Sequence, residues 1–183
     1  MFFKSGSILF TCFIITIIIS CKAKVDASSS NAVNLLPDSV NYPFKATYSS
    51  KVVESTHPEY LQTVLTIWKL FESNKIDEMK KFYADTVTYE DASGYTFYGR
   101  SDSLLNFARK DIEGLDSLRF DISLWENLHL ADRNEDWVYI WSAERRYPKN
   151  GKPDTSLIHE QWKIVNGKVN YFNQYLYCTF CSK

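Results

Sequence analysis

The chain has 183 residues, 45% hydrophobic and 16% aromatic, with 21 Lys and Arg against 22 Asp and Glu, a net charge of −1. Such a near-neutral mixture lacks the basic footprint of a nucleic-acid-binding surface, so that class is excluded. Once the first 45 residues are set aside, what remains suits one domain with one core.

The start, "MFFKSGSILFTCFIITIIISC", has a short region with Lys4, an apolar run from Ile8 to Ile19, then Ser20 and Cys21. A run of roughly a dozen apolar residues falls short of the ~20 needed to span a bilayer, so it reads as a signal-peptide core. Ile18-Ile19-Ser20-Cys21 resembles the lipobox of bacterial lipoproteins. On that resemblance residues 1–20 are removed, Cys21 is acylated, and the protein is lipid-anchored in the bacterial cell envelope, at the outer membrane. Stable anchoring then takes more than one acyl chain. The alternatives are a secreted protein cut near Ala23 and an uncleaved anchor. Removal takes away Lys4 and no acid, leaving 20 basic against 22 acidic groups, a net of −2.

Residues 21–45, rich in Ser, Asn and Ala over most of their length, read as a flexible tether, and 46–183 as the domain. Thr56-His57-Pro58-Glu59 fits a capping box with Thr56 as the cap. Leu61, Val64, Leu65, Trp68 and Phe71 then form one helical stripe. A shorter helix opens with Asp77 and Glu78 and buries Met79 and Phe82. The strand "TVTYED" follows, and after it a third helix from Ser101 that stops at Gly114.

From Leu118 the period changes to 2, with Leu118, Phe120, Ile122 and Leu124 on one face. Strands "WVYIWSAERRY", "SLIHEQWKIV" and "KVNYFNQYLY" complete an antiparallel meander, the last two joined at Asn166-Gly167. That pair is the strongest short-range hairpin signal. The expected class is α+β, with helices on one sheet face. The strand at 137–147 is apolar on both faces, which predicts a cover for the second face, most simply a homodimer partner.

Counting outward from Asn166-Gly167 puts Trp162 opposite Tyr171, Glu160 opposite Asn173, and Ile158 opposite Tyr175, all on one face. A Glu among these rings needs a partner, a proton or a wet cavity. The same parity places Asp91 with Val87 and Tyr89, facing the pocket. Asp91 before Ala-Ser-Gly is also a good Asx-turn former. His159 falls on the opposite face. Cys178 and Cys181 are candidates for a local disulfide or two free thiols; a metal site would need two more ligands that no nearby His supplies, so no metal is expected.

The element order over 57–177 resembles the nuclear transport factor 2-like superfamily, including SnoaL-like and ketosteroid isomerase-like proteins. "YADTVTYED" resembles the isomerase segment that ends in the catalytic aspartate, which implies that role for Asp91. "HEQWKIVNGKV" resembles the isomerases' penultimate strand, with Glu160 where they carry a protonated acid. Where they place an oxyanion tyrosine on the first helix, this chain has Ile67. The resemblance implies a cone-shaped fold. "YPFKATYSS" and "NEDWVYIW" also resemble lipoproteins of Bacteroidota-like bacteria.

The expected function is a membrane-tethered pocket lined by Trp68, Tyr89, Trp162, Tyr171, Asn173 and Tyr175 that binds a small, largely apolar ligand without a cofactor. The alternatives are an isomerase, dehydratase or cyclase with Asp91 as base and Glu160 as acid, and an interaction module of an envelope complex.

Overall fold

In the computed structural model, which describes residues 41–178, a lead-in at 41–51 runs into a short strand, β1 (Val52–Glu54). The candidate signal, Cys21, most of the tether and Cys181 lie outside the described residues, and with Cys181 the disulfide candidate. Among the described residues no helix is long and apolar enough to cross a membrane.

The first helix, α1 (Pro58–Glu72), carries the predicted stripe: Val64 and Trp68 are buried, and Leu61, Leu65 and Phe71 pack against the core. The capping box does not form. Pro58 takes the first helical position, which makes His57 the cap, one residue later than Thr56. Glu59 turns to the His57 ring at 2.8 Å, and Ser55 Oγ accepts the His57 N–H at 3.2 Å.

A short α2 (Ile76–Met79) and a 3-10 turn (Lys80–Phe82) lead to β2 (Tyr83–Asp91) and β3 (Thr96–Arg100). Next comes α3 (Ser101–Ile112), which buries Leu104, Leu105 and Ile112. Four long strands complete the chain: β4 (Leu115–Leu130), β5 (Glu135–Pro148), β6 (Asp154–Val165) and β7 (Lys168–Cys178).

All seven strands form one sheet in the order β1-β4-β5-β6-β7-β2-β3. The meander β4 to β7 is antiparallel as expected, but β2 pairs parallel with β7. On one face α1 packs against β4 and β5, and α3 against β2 and β3. There Val64 and Ile67 meet Val87, Val138, Ile140, Ile158 and Val169, all at most 3% exposed. This is the α+β architecture read from the sequence.

Two bulges redirect side chains. The turn falls at Asn166-Gly167, with φ of 51° and 73°, the left-handed pair that a type I′ turn requires. Val165 faces Lys168 and Ile164 faces Val169, but Lys163 then faces Tyr171 and leaves Asn170 unopposed. One extra residue on β7 shifts everything beyond it by one position. A side chain alternates face with each residue, so the shift turns the rest of β7 over. Trp162 therefore faces Phe172 and Glu160 faces Gln174, in place of the predicted Tyr171 and Asn173. On β4 a second irregularity at Ser123 moves Leu124 off the face of Phe120 and Ile122 and opposite Trp141.

Candidate functional site

The helices and the curved sheet enclose a cavity of about 630 Å³, walled by aromatic rings that include Trp68, Tyr83, Tyr89, Phe97, Phe120, Trp162 and Phe172. Trp162 and Phe172 stack at 4.5 Å, and Trp68 lies 4.5 Å from Phe120. The apolar parity of α1 and of β2, β3, β4 and β6, and on β7 the bulge at Asn170, aim these rings inward.

Glu160 sits in this wall, 6% exposed. Its Oε2 accepts the indole N–H of Trp68 and of Trp162, each at 2.9 Å, and its Oε1 accepts Gln174 Nε2 at 2.8 Å. Every donor is neutral. Burial dominates and pushes the carboxyl up to about 7; the Gln174 donor pulls it back, the Glu144 charge adds to the rise, and the two indoles oppose it. An indole N–H can only donate, so a proton on Glu160 belongs on Oε1, where the Gln174 amide can turn its oxygen to accept.

Asp91 also lines the cavity, next to Gln174 across the parallel pair, so Asp91, Gln174 and Glu160 form a row over three strands. Adjacent strands lie ~4.8 Å apart, which puts the backbones of Asp91 and Glu160 roughly 10 Å apart. Asp91 is tied into the turn that the sequence offered as its other role. Its Oδ1 accepts the Ser93 hydroxyl at 2.6 Å and the backbone N–H of Ser93 and Tyr95 at 2.8 and 3.1 Å. The Ser93 hydroxyl holds this carboxyl below the usual range; burial opposes it, and the Tyr95 and Ser93 backbone donors add to the lowering. Nearby, burial and then the Asp91 charge push Tyr89 up to about 12.

Three of the six expected pocket residues, Trp68, Tyr89 and Trp162, line the cavity. Tyr171, Asn173 and Tyr175 do not, because the bulge at Asn170 turns them to the other sheet face. There Tyr171 donates to Glu90 Oε2 at 2.8 Å and packs edge-on against Trp137. Asn173 lies opposite Gln161, and Tyr175 stacks on His159, which is itself 4.4 Å from Trp141 in a parallel stack. His159 falls on the outer face as expected, and burial lowers its pKa.

The sequence reading missed a second polar group in the same cavity. Glu144 and Arg146 follow Val138 and Ile140 at period 2 along β5 and so face inward, a signal the alternation already carried. The Arg146 guanidinium donates through Nε to Glu144 Oε1, and through Nη1 and Nη2 to both oxygens of Asp111 on α3, at 3.0 and 2.6 Å. Glu144 is 2% exposed; burial raises its pKa and Arg146 opposes the rise. Among the described residues no cluster of three or more His, Cys, Asp or Glu could hold a metal ion.

No protein-family model matches this sequence, and no curated protein matches it. Solved structures do. An LEH-like epoxide hydrolase of M. tuberculosis superposes with a TM-score of 0.55 at 12% identity, over 66% of this chain and 84% of that one. A proposed SnoaL-like polyketide cyclase of Shewanella denitrificans gives 0.56 at 14% identity, over 66% and 91%. An NTF2-like protein of unknown function from Burkholderia pseudomallei gives 0.51 at 18% identity, over 63% and 88%. With helices on one face of a curved sheet and an aromatic cavity between them, this chain has the nuclear transport factor 2-like fold.

Proposed function

We propose that this protein is a membrane-tethered pocket domain that binds a small, largely apolar ligand. The carrying observation is the aromatic cavity of about 630 Å³ with Glu160 in its wall, already supplied with donors by the protein itself. Such a site draws most of its affinity from removing apolar surface from water. The test is a thermal-shift panel of compact apolar molecules on the detergent-solubilised chain, its Asp91→Asn and Glu160→Gln variants alongside. Saturating ligand stabilises by about 3 kcal/mol at a hundred times its Kd. Stabilisation that survives both substitutions supports binding; an unmoved melting point across the panel removes the reading.

One observation favours a second reading, an isomerase, dehydratase or cyclase. Glu160 changes protonation at about 7, where a proton-transfer group works best at neutral pH. On this reading Glu160 moves the proton and Asp91 orients the substrate, since the Asp91 carboxylate is occupied by its turn and weakly basic. Turnover lost in Glu160→Gln with binding retained separates it from the first reading.

The envelope location is part of the proposal: Cys21 carries the lipid and the tether joins it to the domain. Mass spectrometry that finds Cys21 unmodified ends that part. A homodimer is proposed through the outer sheet face, where Leu124, Trp141, His159 and Tyr175 form one row across four strands. Leu124 and the neighbouring Leu157 are 51% and 50% exposed, an apolar patch of the kind that marks an interface. Light scattering on the chain decides it.

A further inference from the structure

From the polar group on β5 we infer that the cavity selects an apolar amine over the carboxylate of the same shape, with Glu144 as the residue that receives the ammonium group. The inference rests on the pocket reading and specifies its ligand.

Glu144 is almost wholly removed from bulk water, yet only one of its oxygens is used. Oε1 takes the Arg146 Nε–H, while Oε2 receives no hydrogen bond among the described residues, and the residue lines the cavity. Oε2 keeps accessible surface and so opens onto the cavity, where a ligand N–H can take the place of water. Arg146 does not make the site cationic, because Asp111 already grips its other two nitrogens. Around the cavity Asp91, Asp111, Glu144 and Glu160 stand against Lys110 and Arg146, four carboxyl groups to two cations. That balance repels an added carboxylate and attracts an ammonium group.

The apolar surroundings point the same way. Phe120 lies directly opposite Glu144 in the β4–β5 register, so the two side chains share one face. Trp68 and Phe71 pack on Phe120, with centroids at 4.5 and 6.3 Å. An ammonium group at Glu144 therefore sits beside the Phe120 ring as well as a carboxylate, and both attract cations.

The test uses three probes with one rigid body: 1-adamantylamine, 1-adamantanol and adamantane-1-carboxylate, titrated at pH 7.5 into the detergent-solubilised full chain. Calorimetry reads binding, and the fluorescence of Trp68 and Trp162 reports occupancy of the wall. The amine is expected to bind at least about tenfold more tightly than the carboxylate. Glu144→Gln removes most of that preference, read as the ratio of amine to carboxylate affinity. Asp111→Asn, which removes the carboxylate charge and the acceptor of one Arg146 nitrogen, moves the preference toward the carboxylate and guards against a Glu144 variant that fails to fold. Alcohol binding with no amine preference, or a preference unaltered in both variants, overturns this inference alone. If none of the three probes binds, the pocket reading falls and this inference with it.

Discussion

Trp68 on α1 and Trp162 on β6 donate their indole N–H groups to the same atom, Glu160 Oε2, each at 2.9 Å. The shared acceptor joins helix to sheet across 92 residues of sequence and fixes the carboxyl in the cavity wall. Two neutral donors on one oxygen favour the ionised form less than burial disfavours it, so the group stays close to a balance between its two states.

That balance gives a pH dependence with a defined sign. Glu160 has a folded pKa raised from its ordinary value of 4.5 to about 7, so the folded state binds more protons than the unfolded one between these values. Its contribution to stability is complete at low pH and is lost as pH rises through about 7, by about 3 kcal/mol in all. Glu160→Gln keeps an oxygen for the two indoles and an amide for Gln174, without the charge. The variant is expected to match the wild type below about pH 4 and exceed it at pH 8, measured by urea unfolding. Equal slopes of stability against pH in the two proteins refute this.

The β6–β7 register makes opposite demands on two neighbours. Phe172 is 9% exposed and stacks on Trp162, whereas Tyr175 is 46% exposed on the outer face. Phe172→Ala is expected to cost about 3–5 kcal/mol and to weaken ligand binding. Tyr175→Ala costs under about 1 kcal/mol and leaves binding intact. An uninterrupted hairpin would exchange the two results, and the thermal-shift panel reads both.

These two residues also mark where local sequence stops being informative. Asn166-Gly167 specifies its turn through backbone conformation, and Glu160 beside Trp162 is inward on any register of β6. Nothing local in "KVNYFNQYLY" marks Asn170 as the extra residue, since Asn170 and Tyr171 are both acceptable on either face. Ser123 is equally silent on β4. The parallel contact of β2 with β7 and the grip of Arg146 on Asp111 join segments distant in sequence, so no periodicity reports them. The inward parity of Glu144, by contrast, was available from Val138 and Ile140. It carried no apolar side chain to draw notice.

Asp91 offers a direct choice between turn and chemistry. The three hydrogen bonds of its side chain run to Oδ1, an atom that asparagine also supplies as an acceptor. Asp91→Asn is expected to leave both the melting point and ligand binding unaltered. Asp91→Ala, which strips the turn of its acceptor, lowers the melting point. Loss of ligand binding in Asp91→Asn with an unchanged melting point would assign Asp91 to the ligand and not to the turn.

The lead-in is fastened to the body by Tyr48, whose hydroxyl donates to Glu135 Oε2 at 2.6 Å while Arg133 lies 3.9 Å over its ring. Burial acts to raise the Glu135 pKa, but Lys163 at 2.8 Å and the Tyr48 and Trp137 donors outweigh it and hold the carboxyl down to about 2. A folded pKa below the unfolded one means stability that is present above about 4.5 and lost as pH falls toward 2. Tyr48 is 49% exposed, so solvent screening limits its hydrogen bond to about 1 kcal/mol. Tyr48→Phe keeps the ring under Arg133 and removes only the hydroxyl. At pH 7 hydrogen exchange is expected to accelerate over residues 42–51 and stay unchanged in β6. The wild type is expected to lose protection over the same residues progressively as pH falls from about 4.5 toward 2. Uniform acceleration through the whole domain would mean that Tyr48 supports the fold as a unit and not the attachment of its lead-in.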